Sequence, residues 1–230
     1  VMMNLEECEK IFARNNQFEK VGLFKTVGRL HNSVYFLDGQ ADTFYGPLAP
    51  STGVLDIFSI TGFNVGISSD AGTSDIYGVT TLDIADHSVY ATNQANLVIS
   101  DSLFGTSGTN NAKAENGGTL TLNNVTIDGT KTNHGVMVEN DGHIYGKNLT
   151  VMNTDSCAVR VKTGKTGSYI TIDGLTTSNI GGQNAWISVG DDLDVDKSYG
   201  GITIVNGDLC KTKKHSITVD CGELTMVDTQ

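Results

Sequence analysis

An apolar–x–apolar pair that returns about every 23 residues constrains this chain more than any other feature. Leu120-Thr121-Leu122, followed by Asn123-Asn124 and then Val125-Thr126-Ile127, is the clearest copy. Ile144-Tyr145-Gly146 with Leu149-Thr150-Val151 repeats it, as does Ile170-Thr171-Ile172 with Leu175-Thr176-Thr177. Further copies begin at Ile202 and Leu224, and upstream at Leu55, Ile76 and Leu97. The starts at 55, 76, 97, 120, 144, 170, 202 and 224 are spaced by 21, 21, 23, 24, 26, 32 and 22 residues. Alternation at period two marks a strand with one buried face. Self-similarity at this period is the signature of a solenoid.

A second pair keeps phase with the first. Val136, Val159, Ile187 and Ile217 open V-x-V-like pairs 16, 15, 17 and 15 residues after their coil starts. Three short strands per coil, with no helical stretch between them, exclude βαβ units and leucine-rich repeats. The expected fold is therefore all-β, a right-handed single-stranded parallel β-helix of about eight coils. At ~4.8 Å per coil these would span roughly 35–40 Å. Corners at Asn123-Asn124, Lys147-Asn148, Asp173-Gly174 and Asn206-Gly207 are expected to need positive φ, which Gly and Asn adopt at low cost. That requirement accounts for Asn124 and Asn148, which also match the N-glycosylation sequon.

Residues 1–50 differ from the rest. Asn4-x-x-Glu7 reads as a capping box, with Leu5, Cys8, Ile11 and Phe12 on one face of a short helix. Val34–Phe36, Asp38-Gly39 and Thr43–Tyr45 read as a hairpin. The expected division is a capping or attachment segment over 1–50 and a β-helix over 51–230. Unpaired strand edges at a β-helix end invite aggregation unless covered. The last copy, Leu224 to Gln230, breaks off in mid-coil, so either the chain continues or another subunit covers that edge.

Charge and cysteine usage narrow the partners. With 15 basic and 26 acidic residues the net charge is −11, which disfavours nucleic acid and anionic membranes. No run of 18 apolar residues is present for a membrane-spanning helix. Val1–Glu7 lacks the basic and apolar regions of a signal peptide. Cys8, Cys157, Cys210 and Cys221 form no C-x-x-C pair. The last three are expected to be small buried apolar groups in a chain made in a reducing compartment.

Aligning Val136, Val159, Ile187 and Ile217 predicts three outward rows. Gly135, Ala158, Trp186 and Ser216 form one; Met137, Arg160, Ser188 and Thr218 the next; Glu139, Lys162, Gly190 and Asp220 the third. An aromatic plate beside charged groups suits a sugar, so Trp186, Arg160, Lys162 and Glu139 are the glycan-binding candidates. A solvated face with a Glu139–Lys162 cross-strand pair is the structural alternative. The longest coil carries Asp191, Asp192, Asp194 and Asp196, a candidate Ca²⁺ loop without the spacing of an EF-hand. Glu139, Asp191 and Asp192 are the candidate catalytic carboxylates. His31, His87, His143 and His215 form no spaced metal set and are expected at surfaces or turns.

Residues 50–230, with irregular Gly/Asn/Asp/Thr-rich coils behind a distinct N-terminal segment, resemble the β-helical stems of bacteriophage tailspikes and tail fibres. The resemblance implies a homotrimer held on the virion through its N-terminal part, contacting other tail proteins. It also implies recognition of host surface polysaccharide, with or without cleavage. A secreted polysaccharide lyase or glycosidase of the pectate-lyase-like superfamily and a β-helical bacterial adhesin passenger are the alternatives. Asn153-Thr154-Asp155, Asp191-Asp192, His134-Gly135 and Arg160-Val161-Lys162 look similar to polygalacturonase elements. Their order along the chain is scrambled, however, so those catalytic roles are not carried over.

Overall fold

The computed structural model describes residues 2–15, 17–18, 21, 31–37, 40–43, 58–213 and 215–230. The chain divides into two compact units, Val1–Leu55 and Asp56–Gln230. In the first, Met2–Asn4 pairs antiparallel with His31–Leu37, which pairs antiparallel with Gln40–Thr43. The helix Leu5–Arg14 starts as its sequence requires. The Asn4 side chain accepts from the Glu7 amide, and Glu7 accepts from the Asn4 amide. Cys8, Phe12 and Val34 form the buried centre of this unit, with Met3, Ile11 and Val21 packed around them. The expected hairpin is present through the Val34–Thr43 pairing, while Asp38-Gly39, Phe44, Tyr45 and the Leu5 side chain lie outside the described residues.

The second unit is a parallel β-helix of about seven turns, with three strand-bearing faces. Face A stacks Thr73–Tyr77, Asn96–Ser100, Thr119–Asn123, the first parts of His143–Met152 and Ser168–Ser178, then Gly200–Val205 and Glu223–Val227. Face B follows one corner later with Phe58–Thr61, Val79–Leu82, Leu103–Phe104, Thr126–Asp128 and the second parts of the two long strands. Face C stacks Ile67–Ser69, Val89–Ala91, Ala112–Ala114, Val136–Val138, Val159–Lys162, Ala185–Ser188 and Ile217–Val219. The pair expected to open the first coil, Leu55-Asp56-Ile57, lies outside the described residues, while that coil's later strands, Phe58–Thr61 and Ile67–Ser69, are part of the stack.

Alternation decides what is buried. Leu97, Leu120, Ile144, Ile170 and Ile202 pair in one inward column and are at most 1 % exposed. Each such aliphatic side chain contributes about 1.5–3 kcal/mol by leaving water. The corner between faces A and B places Gly78, Asp101, Asn124, Asn148, Gly174, Asn206 and Asp228 at φ between 47° and 81°. Identical corners stacked one coil apart bring their side chains into a ladder. Asn148 Nδ2 donates to Asn124 Oδ1 at 3.0 Å, and Asn124 Nδ2 to Asp101 Oδ1 at 3.0 Å.

The register differs from the sequence expectation in two places, each by two residues. Ile76 pairs with Ile99, so Ser74 faces Leu97 and the coil begins at Ser74. Ile187 pairs with Val161 and Val219, while Ala185 pairs with Val159 and Ile217. A two-residue slip keeps every side chain on its own face. With Ser74 and Ala185 as pair openers, the face A to face C spacing becomes nearly constant. It is 15 residues from Ser74 to Val89, Leu97 to Ala112, Ile144 to Val159, Ile170 to Ala185 and Ile202 to Ile217, and 16 from Leu120 to Val136. The variation in coil length therefore falls at the return corner from face C to face A. The largest excursion there contains the 3-10 turn Val195–Lys197 and rejoins the stack where Gly200 pairs with Ser168.

Candidate functional site

The outer surface of face C gathers most of the predicted candidates, in a corrected order. One column runs Tyr90, Lys113, Met137, Arg160, Trp186, Thr218 through successive strand pairings. Trp186 thus sits directly beside Arg160 and not beside Ala158 as expected. Gly135 and Ala158, placed in an outward row by the sequence reading, are buried. A Cβ on Gly135 would collide with Val151 Cγ1. Lys162 pairs with Ser188, so the predicted Arg160–Ser188 and Lys162–Gly190 neighbours give way to Arg160–Trp186 and Lys162–Ser188.

Beside this column the charges interlock across coils. Lys113 Nζ reaches Glu115 Oε2 at 2.8 Å in its own coil and Glu139 Oε1 at 2.7 Å in the next. Lys162 Nζ reaches Glu139 Oε2 at 3.3 Å and Asp191 Oδ2 at 2.8 Å. The Glu139–Lys162 cross-strand pair is therefore present as one link of a longer chain. The Tyr90 hydroxyl donates to Glu115. Lys113, Glu139 and Lys162 side chains are only 14–19 % exposed, so these pairs are shielded more than ordinary surface ion pairs. Burial opposes the charge on Lys113, but its bonds to Glu115 and Glu139 prevail and hold its pKa above the usual value. Burial likewise acts to raise Glu115, and the bonds from Lys113 and Tyr90 prevail to lower it.

Arg160 and Trp186 form the other half of the site. The guanidinium carbon lies 3.9 Å from the indole ring centroid, and Trp186 Nε1 donates to Asp220 Oδ2 at 2.9 Å. One face of the indole is therefore occupied by Arg160, and the register sets Thr218 on the other side. The ring is a wall of the site more than an open plate. Burial lowers the Arg160 pKa, against nearby anionic groups that act to raise it.

Next to Arg160 lies a residue the site expectations did not include. His134 is 2 % exposed, with Nδ1 accepting from the Cys157 amide at 3.1 Å and Nε2 at 3.0 Å from Arg160 Nη1. Burial, then the charges of Arg160 and Lys162, push its pKa down to about 3. His87, expected at a surface or turn, is also buried, at 9 % exposure, and burial lowers its pKa against the neighbouring Asp86. Both histidines border a shallow pocket of about 430 Å³ shared with Asp86, Lys113, Glu139, Arg160 and Lys162.

The acidic loop meets this surface through Asp191. Asp191 is tied to Lys162 and Asp194 to Lys197 at 3.0 Å, with Asp192 and Asp196 exposed. Among the described residues no three His, Cys, Asp or Glu side chains converge as a metal-binding group. Asp191 and Asp192 border a second groove of about 490 Å³ on the return corner, with Gln94, Asn116, Asp141 and Lys165. Asp141 there accepts from the Thr166 and Gly167 amides at 2.9 and 3.1 Å, bonds that outweigh burial and lower its pKa. Asp155 borders a third hollow with Lys213, apart from Asp191, in keeping with the scrambled element order. Cys157 and Cys221 are buried as expected, and Cys210 is half-buried.

Lys113 and the Glu115 that follows its strand escaped the sequence reading because Ala112-Lys113-Ala114 has small inward residues in place of the branched pair being sought, and Tyr90 because its strand, Val89-Tyr90-Ala91, has only one branched inward residue. No helix among the described residues is long and apolar enough to cross a membrane. Comparisons with protein-family models, curated proteins and solved structures return no match for this chain.

Proposed function

We propose that this chain is a polysaccharide-binding β-helix of the tailspike or tail-fibre kind, with face C as its recognition surface. The supporting observation is the interlocked row Lys113–Glu139–Lys162–Asp191 beside Arg160 and Trp186. Such a row carries little net charge but presents many donors and acceptors at the ~4.8 Å coil spacing, which suits the hydroxyls of an extended glycan. The polar groove on the return corner lies at the Asp191 end of the row and extends the surface a sugar chain would follow. In this reading the chain is homotrimeric, the N-terminal unit joins it to the other tail proteins, and the site faces host surface polysaccharide.

Binding without cleavage is the favoured form. Glu115 and Glu139 share one lysine, a pairing of carboxylates that invites comparison with a glycosidase. A glycosidase needs one of its two carboxyl groups protonated as the acid, with a raised pKa. Here Lys113 and Tyr90 drive Glu115 the other way, and Glu139 is clamped between Lys113 and Lys162, so neither carboxyl group is placed to donate a proton to a sugar oxygen. The test is equilibrium binding to a panel of bacterial surface polysaccharides, with reducing ends assayed in parallel. Trp186→Ala and Lys162→Ala should each lower affinity at least tenfold, with no new reducing ends from the wild-type protein. Undiminished binding by both variants would remove face C as the site. Light scattering at about three times the 24.4 kDa chain mass is the expected assembly.

A further inference from the structure

Arg160 is a half-buried cation with few acceptors around it. Its Nη1 meets His134 Nε2 at 3.0 Å, its Nη2 reaches Ser188 Oγ at 3.4 Å, and its Nε is buried with no partner. Among the described residues it makes no ion pair with a carboxylate, whereas Lys113 and Lys162 each hold two. The histidine cannot supply the missing acceptor. Its Nδ1 lone pair is already used by the Cys157 amide, so the neutral ring carries its proton on Nε2. That N–H therefore faces a guanidinium N–H across 3.0 Å, donor against donor.

From this surplus of donors we propose that the pocket beside His134 and Arg160 is an oxyanion site, taking a carboxylate or sulfate group. One anion oxygen accepts from His134 Nε2–H and another from the guanidinium, which converts the opposed donors into a two-armed clamp. Around the pocket Lys113 and Lys162 are already shared among Glu115, Glu139 and Asp191, which leaves Arg160 as the cation open to an incoming anion, and the size of the pocket admits one such group with its water. Both facing carboxylates are already engaged, Asp86 by Thr109 and Glu139 by the two lysines. The extension from an anion to an acidic glycan rests on the polysaccharide reading above; the oxyanion site itself does not.

The wild-type chain is titrated with sodium sulfate, glucuronate and glucose at constant ionic strength, following the ring ¹⁵N resonances of His134 and the melting temperature. Sulfate and glucuronate should shift Nε2 saturably in the millimolar range, with glucose inert. Arg160→Gln places an amide oxygen opposite His134, so it should melt cooperatively and lose at least tenfold in anion affinity. An Nε2 resonance indifferent to both anions overturns the proposal, whatever the variant does. Undiminished anion binding by a folded Arg160→Gln protein overturns it as well. Glucuronate oligomers binding at least tenfold more tightly than sulfate assign the site to a glycan, and equal affinities assign it to a free anion. Anion binding without polysaccharide binding would sink the glycan reading and keep the site.

Discussion

Acidification should weaken this fold through His134 by an amount that can be worked out beforehand. The ring is 2 % exposed and its pKa is pushed from 6.5 to about 3. Between those values the unfolded chain binds a proton that the folded chain refuses, so stability falls as pH falls. The contribution is complete above the unfolded value and is lost progressively down to about pH 3. At pH 4 the unfolded ring lies 2.5 units below its own pKa while the native ring is still mostly neutral. At 1.36 kcal/mol per unit, going from pH 7 to pH 4 costs about 3 kcal/mol from this one group. The assay is urea denaturation at pH 7, 5.5 and 4 for wild type and His134→Gln, which has no titrating ring in either state. Carboxylates titrate in both proteins, so the difference of the two pH profiles isolates the histidine. Wild type should lose about 3 kcal/mol more than the variant. Parallel profiles would refute the claim that a neutral imidazole is locked beside Arg160.

The stacked corner gives a second prediction. Asn148→Ala should cost about 2 kcal/mol, from a lost side-chain bond plus a left-handed alanine, and Asn148→Gly about 1 kcal/mol. Equal midpoints in denaturant would show that φ at this corner carries no cost. In the core, Leu149→Ala should destabilise by about 2–5 kcal/mol, because a fully buried side chain between coils leaves a cavity; a loss below 1 kcal/mol in the same assay would mean that the stack collapses to fill it. On face C, Glu139→Gln should cost about 1–2 kcal/mol, well below the loss for a buried pair left without any counterion, since Lys113 keeps Glu115 and Lys162 keeps Asp191. A loss above 4 kcal/mol in chemical denaturation would show that the row does not share its charges.

The architecture was legible because a parallel stack forces each coil to repeat its neighbour's inward pattern. Leu97, Leu120, Ile144, Ile170, Ile202 and Leu224 pair in the structure in the order their spacing predicts. The corner asparagines were legible for the same reason, since one backbone geometry recurs at each level. The site was legible only in part. Looking for branched aliphatic residues passes over Ala185 and Ser74, and a two-residue error at Ala185 moved Trp186 one row away from Arg160. His134 could not be found that way at all. Its tautomer is set by the amide of Cys157, 23 residues on in the next coil.

The near-constant path from face A to face C and the elastic return corner have an evolutionary consequence. Length can be added at one seam without disturbing a single inward side chain, as the 11 residues between Ser188 and Gly200 illustrate. Loop closure costs only about 0.6 kcal/mol for each doubling of loop length. The seam adjoins the Asp191 end of the charged row, so what is added there reshapes the groove and leaves the stack intact. A lineage carrying this scaffold can change what it recognises by insertion as well as by substitution, holding the load-carrying column constant while the surface beside it drifts.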